Sequence, residues 1–203
     1  MSQISRPKGQ ARERRILTEG ELKEFLLAIQ TDEEWAAVIC FLHLNLRRLE
    51  VAKARFSDIK DDCIVVHGKE REGERNLLPE YREALLKLRS NRSIDDYIFE
   101  RREKTTERSV GGRLYQTINK ICDRAGITGD RRSPHTLRHT FANLWIEAGG
   151  DLLTLQKLLR HSDIRQTMHY AEQTRVQVRA AEAKVRPIQK LQEKFKSESN
   201  MIW

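Results

Sequence analysis

Several features are scarce in this sequence, and each scarcity excludes a class. There are three cysteines in 203 residues, Cys40, Cys63 and Cys122, far apart and with no CxxC pair. A disulfide framework or a cysteine zinc site is therefore not expected, and a reducing compartment fits best. No apolar run approaches the roughly 20 residues that a membrane span requires, and the opening MSQISRPKGQARERR lacks the apolar stretch of a signal peptide. Neither secretion nor a membrane span is expected. Hydrophobic residues make up only 38% of the chain, below the usual share, and no internal repeat is visible. The length fits one domain with an arm at either end, and is ample for a hydrophobic core.

What the sequence does have is charge. A third of the residues are charged, with 38 basic against 30 acidic side chains and a net charge of +8. The excess predicts an anionic partner, nucleic acid before an acidic membrane, which charge alone does not separate from it. Residues 1–16 hold five basic side chains and one acid, Glu13, half the net charge in under a tenth of the chain. With Pro7, Gly9 and no apolar periodicity, they read as a flexible basic arm.

Helical patterns follow. Thr18–Glu21 and Thr31–Glu34 both have the spacing of a capping box. The first opens an amphipathic run through Leu22, Phe25, Leu26 and Ile29. The second opens Trp35–Leu42, apolar on most faces and so a central buried helix. A third short helix is predicted to carry Leu46, Leu49 and Val51 and to end near Phe56–Asp58. The β-branched Asp62–His67, a polar turn over 68–74 and Arg75–Pro79 predict a small hairpin with a charged tip. Beyond it, helices are predicted over Tyr81–Leu88, Gly112–Ala125, His135–Glu147, Leu152–Leu159 and Ile164–Tyr170. Tyr97–Phe99 reads as a brief extended piece, and Arg101–Arg108 as a solvated loop. Residues 176–203 form a helical tail in which Pro187 marks a break. The sum is a mainly helical α+β domain with one small antiparallel sheet.

Some side chains stand out by placement. Arg47 and Arg48 directly follow an apolar stretch, an awkward site for two cations unless one points into a pocket. His135 and Arg138 open a helix after Pro134 and lie one turn apart on one face, where a guanidinium beside a helix start makes a phosphate cradle. His161 precedes Tyr170 by nine residues across a short break. His135 and His139 also have the i, i+4 spacing of a helical zinc pair, but no glutamate follows His135, and no metal is expected. His43, His67 and His169 carry no case for chemistry.

Four segments together resemble the catalytic domain of the tyrosine recombinases, the phage-integrase family. Asn45-Leu-Arg47-Arg-Leu-Glu50-Val with Phe56-Ser-Asp58-Ile is similar to that family's first arginine motif. Gly68-Lys69 and Arg75-Asn-Leu-Leu-Pro79 are similar to its lysine-bearing β-turn. His135-Thr-Leu-Arg138-His-Thr-Phe-Ala matches its histidine–arginine box, and Leu158-Leu-Arg-His161 through Tyr170 matches its second histidine and tyrosine. The resemblance covers about residues 15–175, so the catalytic domain is bounded at 17–175.

The resemblance implies a site-specific recombinase or integrase that cleaves and rejoins DNA through a 3′-phosphotyrosine, with neither a metal nor a nucleotide cofactor. Tyr170 would be the nucleophile, and Arg47 and Arg138 would hold the scissile phosphate. Lys69 would protonate the departing 5′-oxygen, while His135 and His161 would assist proton transfer. Arg48 is the rival of Arg47 and is expected to face solvent or an acid; Arg71 is the rival of Lys69. Glu50 is expected to be structural, orienting a cation of the site. The partner implied is double-stranded DNA, with a homotetramer on DNA and a monomer alone. The location implied is a prokaryotic cytoplasm, in association with the nucleoid. Two other readings stay open: a DNA-binding regulator with the fold but no activity, and a type IB topoisomerase-like relaxing enzyme.

Two residues depart from the family pattern. Asn45 and Arg160 stand where glycine is usual, which predicts left-handed backbone at both, tolerated by asparagine and costly for arginine. Most family members also carry an N-terminal DNA-binding domain. The early start of the resemblance is expected to mean either an excised catalytic domain or a single-domain member. The tail after residue 175 is expected to dock in trans on a neighbouring protomer or in cis on its own domain.

Overall fold

The computed structural model describes residues 15–68, 72–101, 105–130 and 132–172. Residues 1–14 of the basic arm, Lys69, Arg71 and the C-terminal tail therefore lie outside the described residues, whereas Arg15 of the arm pairs with Glu21 and donates to the Thr128 carbonyl. The chain divides into two compact units, residues 1–141 and 142–203.

In the first unit, α1 (Glu19–Leu27) and α2 (Asp32–Val38) are each capped by the threonine that the sequence singles out. Thr18 and Glu21 complete their reciprocal box, Glu21 N–H donating to the Thr18 hydroxyl and Thr18 N–H to the Glu21 carboxylate. In the second box only the hydroxyl half forms. The Glu34 carboxylate reaches past Thr31 to take the Gln30 N–H at 2.8 Å and the Arg124 guanidinium at 2.6 Å. Ala36 through Phe41 have no solvent exposure, as a central helix requires. Fully burying a side chain as large as Phe41 contributes about 1.5–3 kcal/mol.

The central helix does not run on regularly. It widens to a π-turn over Ile39–His43, closed by Leu44 N–H on the Ile39 carbonyl at 2.9 Å, and delivers the chain to Asn45. The next helix, α3 (Arg48–Lys53), is shorter than the sequence predicts. Leu46 is buried but precedes it, and Leu49 is 46% exposed instead of lying on the buried face. Val51 and Ala52 are the apolar residues that α3 itself buries.

A 3₁₀ turn at Phe56–Asp58 leads into the hairpin of β1 (Cys63–His67) and β2 (Glu72–Asn76), antiparallel with Cys63 opposite Asn76 and His67 opposite Glu72. Ile64 and Val66 face the core, whereas β2 is polar, so β1 alone anchors the hairpin by apolar burial. His67 reinforces it, with Nε2 2.8 Å from the Asp58 carboxylate and Nδ1 2.9 Å from that of Glu72. The hydrogen bond to Asp58, and then the one to Glu72, raise the His67 pKa above the ordinary 6.5. A raised folded-state pKa adds stability that is complete below the unfolded value and disappears as pH rises through the folded one. His67→Ala should therefore lower the midpoint of thermal unfolding more at pH 6 than at pH 9. An equal loss at both pH values contradicts the ion pair.

After α4 (Pro79–Lys87), the longest helix among the described residues is α5 (Glu107–Arg124). It starts five residues before the predicted Gly112, because Thr106 caps it by accepting the Ser109 N–H at 3.2 Å. The solvated loop read at Arg101–Arg108 is correspondingly shorter. The pair Gly111-Gly112 does not break α5, whose Val110, Leu114, Ile118, Ile121 and Cys122 form one buried stripe. α5 packs on α2 and α3.

The unit boundary falls within α6 (Pro134–Glu147). In the second unit, α6 ends at Glu147 and a turn follows at Gly149, whose φ of +85° is left-handed. Gly150 follows because a Cβ there would lie 2.2 Å from the Trp145 indole nitrogen, which donates to the Asp151 carbonyl. Asp151 caps α7 (Leu152–Leu159) by taking the Thr154 N–H at 2.8 Å, and α8 (Arg165–Glu172) packs on α7. Among the described residues no helix is long and apolar enough to cross a membrane.

Candidate active site

The first unit brings four of the singled-out side chains together from two segments. Asn45 has φ +54°, the left-handed turn expected where it replaces glycine. That turn aims its carbonyl at Arg138, whose Nη1 donates to it across 93 positions of sequence. Arg138 is buried, so its guanidinium is held by fixed partners instead of by solvent. Arg47 caps α3, and the buried Glu50 accepts its backbone N–H at 2.7 Å. Glu50 thereby fixes the main chain that carries the two arginines, the orienting task expected of it. Thr140, which sequence reasoning passed over, donates to the Thr136 carbonyl and accepts the Leu17 N–H at 2.9 Å, seating the start of the domain on α6. No composition signal marks it.

His135 stands one turn before Arg138 and keeps solvent access. Desolvation lowers its pKa below 6.5, and then the charges of Arg138, Arg48 and Arg47 lower it further, in that order. Desolvation and the three guanidinium charges thus favour its uncharged form, which can accept a proton, while those charges attract an anion. Arg48 is thus part of the cluster. It is exposed, as expected, but no acid faces it among the described residues.

In the second unit, α7 ends at Arg160 with φ +48° and ψ +46°, the left-handed cap expected there. His161 follows immediately. Its backbone N–H donates to the Gln156 carbonyl at 3.1 Å, and its Nδ1 lies 2.9 Å from the hydroxyl of the fully buried Thr167. Thr167 precedes the buried Tyr170 by one turn of α8, so α8 carries both the partner of His161 and the phenol. Arg160→Gly should stabilise the protein by about 1 kcal/mol, because glycine reaches this backbone without a Cβ clash. Chemical denaturation measures this, and an unchanged or lower stability shows that the arginine side chain compensates. Among the described residues no group of three His, Cys, Asp or Glu side chains is placed to hold a metal ion.

The chain belongs to the phage integrase family, whose model matches residues 15–176. Among its relatives are the tyrosine recombinase XerC of Caldanaerobacter subterraneus subsp. tengcongensis and the tyrosine recombinase XerA of Thermococcus onnurineus. The first is 29% identical over 194 residues, covering 88% of this chain and 53% of the relative. The second is 32% identical over 187 residues, covering 88% and 65%. The chain thus spans about half to two thirds of the length of these relatives. The crystal structure of a XerA recombinase superposes with a TM-score of 0.69 at 25% identity, over 90% of this chain and 67% of that one. A XerH site-specific recombinase bound to a palindromic difH substrate superposes at 0.68 over 83% of this chain and 53% of that one. At 21% identity that likeness speaks to the fold alone. The fold is the mainly helical α+β catalytic domain of tyrosine recombinases.

Proposed function

We propose that this chain is the catalytic domain of a site-specific DNA recombinase, cleaving and rejoining strands through a 3′-phosphotyrosine without metal or ATP. The observation that carries this reading is the buried Arg138 donating to the carbonyl of Asn45, two residues before Arg47, which joins two family motifs far apart in sequence.

In this reading the Tyr170 oxygen attacks the scissile phosphorus. The tyrosine O–P bond forms, the bond to the 5′-oxygen breaks, and the phenol proton passes to a basic group of the site. Arg47 and Arg138 hold the non-bridging oxygens, where charge gathers in the transition state, with the planar fork and permanent charge that suit arginine to phosphate. Lys69 gives a proton to the leaving 5′-oxygen. His135 and His161 assist proton movement, His135 by virtue of being uncharged. The covalent link keeps the bond energy, so the reverse attack of a 5′-hydroxyl reseals the strand.

Duplex DNA is the proposed partner, with residues 1–16 tracking its phosphates through salt-sensitive contacts. Residues 17–175 are the proposed catalytic domain. The proposed assembly is a tetramer on DNA within a prokaryotic cytoplasm, with the tail from 176 docking in trans on a neighbouring protomer or in cis on its own domain. The test is incubation with a nicked suicide duplex in EDTA, followed by denaturing electrophoresis. A covalent adduct is expected, with strand exchange between two duplexes. Relaxation of a supercoiled plasmid without exchange would make the protein topoisomerase-like, and tight binding with no adduct would make it a regulator.

A further inference from the structure

Arg48 is the cation that the family motifs leave without a task, and its surroundings are unusual. Its stem lies across α5 at Gly111. A Cβ on that glycine would sit 2.9 Å from Arg48 Cγ, 3.2 Å from Cδ and 3.4 Å from Nε. Any residue but glycine would push the side chain off this seat. Gly111 is buried within the helix, where glycine costs about 1 kcal/mol relative to alanine. The bare position therefore has a packing reason, and Arg48 supplies it.

Several neighbouring cations around α3 and α5 are engaged, although Arg108 and Lys120 of α5 have no partner among the described residues. Lys53 and Arg101 both face Glu107, Arg55 donates to the Tyr97 hydroxyl, and Arg113 donates to the Glu100 carbonyl. Arg48 has no hydrogen bond or ion pair among the described residues, yet its stem is seated. A guanidinium that is positioned, unpaired and beside two others repels them in the free protein. An anion with several charges relieves that repulsion. His135 registers the placement, feeling Arg48 more strongly than Arg47.

We propose that Arg48, seated across Gly111, is a further phosphate-binding residue of the site, taking a backbone phosphate of duplex DNA beside the one held by Arg47 and Arg138. This rests on the DNA-cleaving reading above. The groups that face His135 are Arg138 from its own helix and Arg47 and Arg48 from the start of α3. Removing Arg48 therefore removes one of three charges that, after desolvation, lower the pKa of the imidazole.

The experiment compares wild type, Arg48→Ala, Arg48→Lys and Gly111→Ala in the full chain, each checked for native circular dichroism. Duplex affinity is measured against salt, and the His135 imidazole is titrated by NMR in the free protein. Arg48→Ala should weaken affinity about tenfold and reduce the log–log salt slope by about 0.9, the signature of one lost phosphate contact. It should also move the His135 midpoint upward. Arg48→Lys should keep the slope while losing part of the affinity, because it keeps the charge but not the fork. Gly111→Ala should lose affinity although no charge has changed. An unchanged slope in Arg48→Ala overturns the proposal, and a reduced slope with an unmoved His135 titration overturns its placement in the site. A wild type that binds with the Arg48-dependent slope but forms no adduct leaves this contact standing and refutes the cleavage reading instead.

Discussion

Tyr170→Phe should form no covalent protein–DNA adduct on any suicide duplex, while binding the duplex as wild type does. The substitution removes one oxygen and keeps the ring that α8 buries, so the fold has no apolar reason to change. The loss should be complete because phenylalanine has no oxygen to form the bond to phosphorus. A phenol with an unperturbed pKa near 10 is a weak nucleophile at neutral pH, and only a fixed cationic site makes it competent. Denaturing electrophoresis after overnight incubation reads the result. An adduct that survives in Tyr170→Phe assigns the nucleophile elsewhere.

Arg138→Ala should slow cleavage by roughly 10³-fold, the scale expected when a fixed donor to developing phosphate charge is lost. It should also destabilise the protein, by about 1–3 kcal/mol, because the carbonyl of the buried Asn45 loses its donor. Arg138→Lys separates the two effects. It keeps a cation and a donor but not the fork, so it should recover stability more fully than rate. Single-turnover cleavage and denaturant unfolding on the same preparations measure both. If rate and stability fall and recover in parallel across the two variants, Arg138 is a structural residue.

These predictions rest on residues that were legible from the sequence to different degrees. Thr18, Thr31 and Asp151 act locally, through a side chain and an N–H three residues on, so their spacing announces the helix starts. The left-handed turns at Asn45 and Arg160 were legible as departures from glycine. The start of α5 was not, because a two-glycine step reads as a breaker until α3 is laid against it. The role of Gly111 in seating Arg48 is tertiary, and local pattern carries no trace of it. Leu49 misled for the same reason, since a leucine at helical spacing does not say whether a neighbour will cover it. The pairing of Arg138 with the Asn45 carbonyl spans 93 positions, and only the resemblance hinted that the two segments meet.

The central claim is that Tyr170 becomes covalently joined to a DNA 3′-phosphate. The most direct measurement digests the adduct formed in EDTA and identifies the DNA-linked peptide by mass spectrometry, together with the chemistry of both DNA ends. The account predicts a link on Tyr170 through a 3′-phosphate, with a free 5′-hydroxyl on the other strand end. A link on another residue, a 5′-phosphate attachment, or nicked DNA with no peptide attached would contradict it.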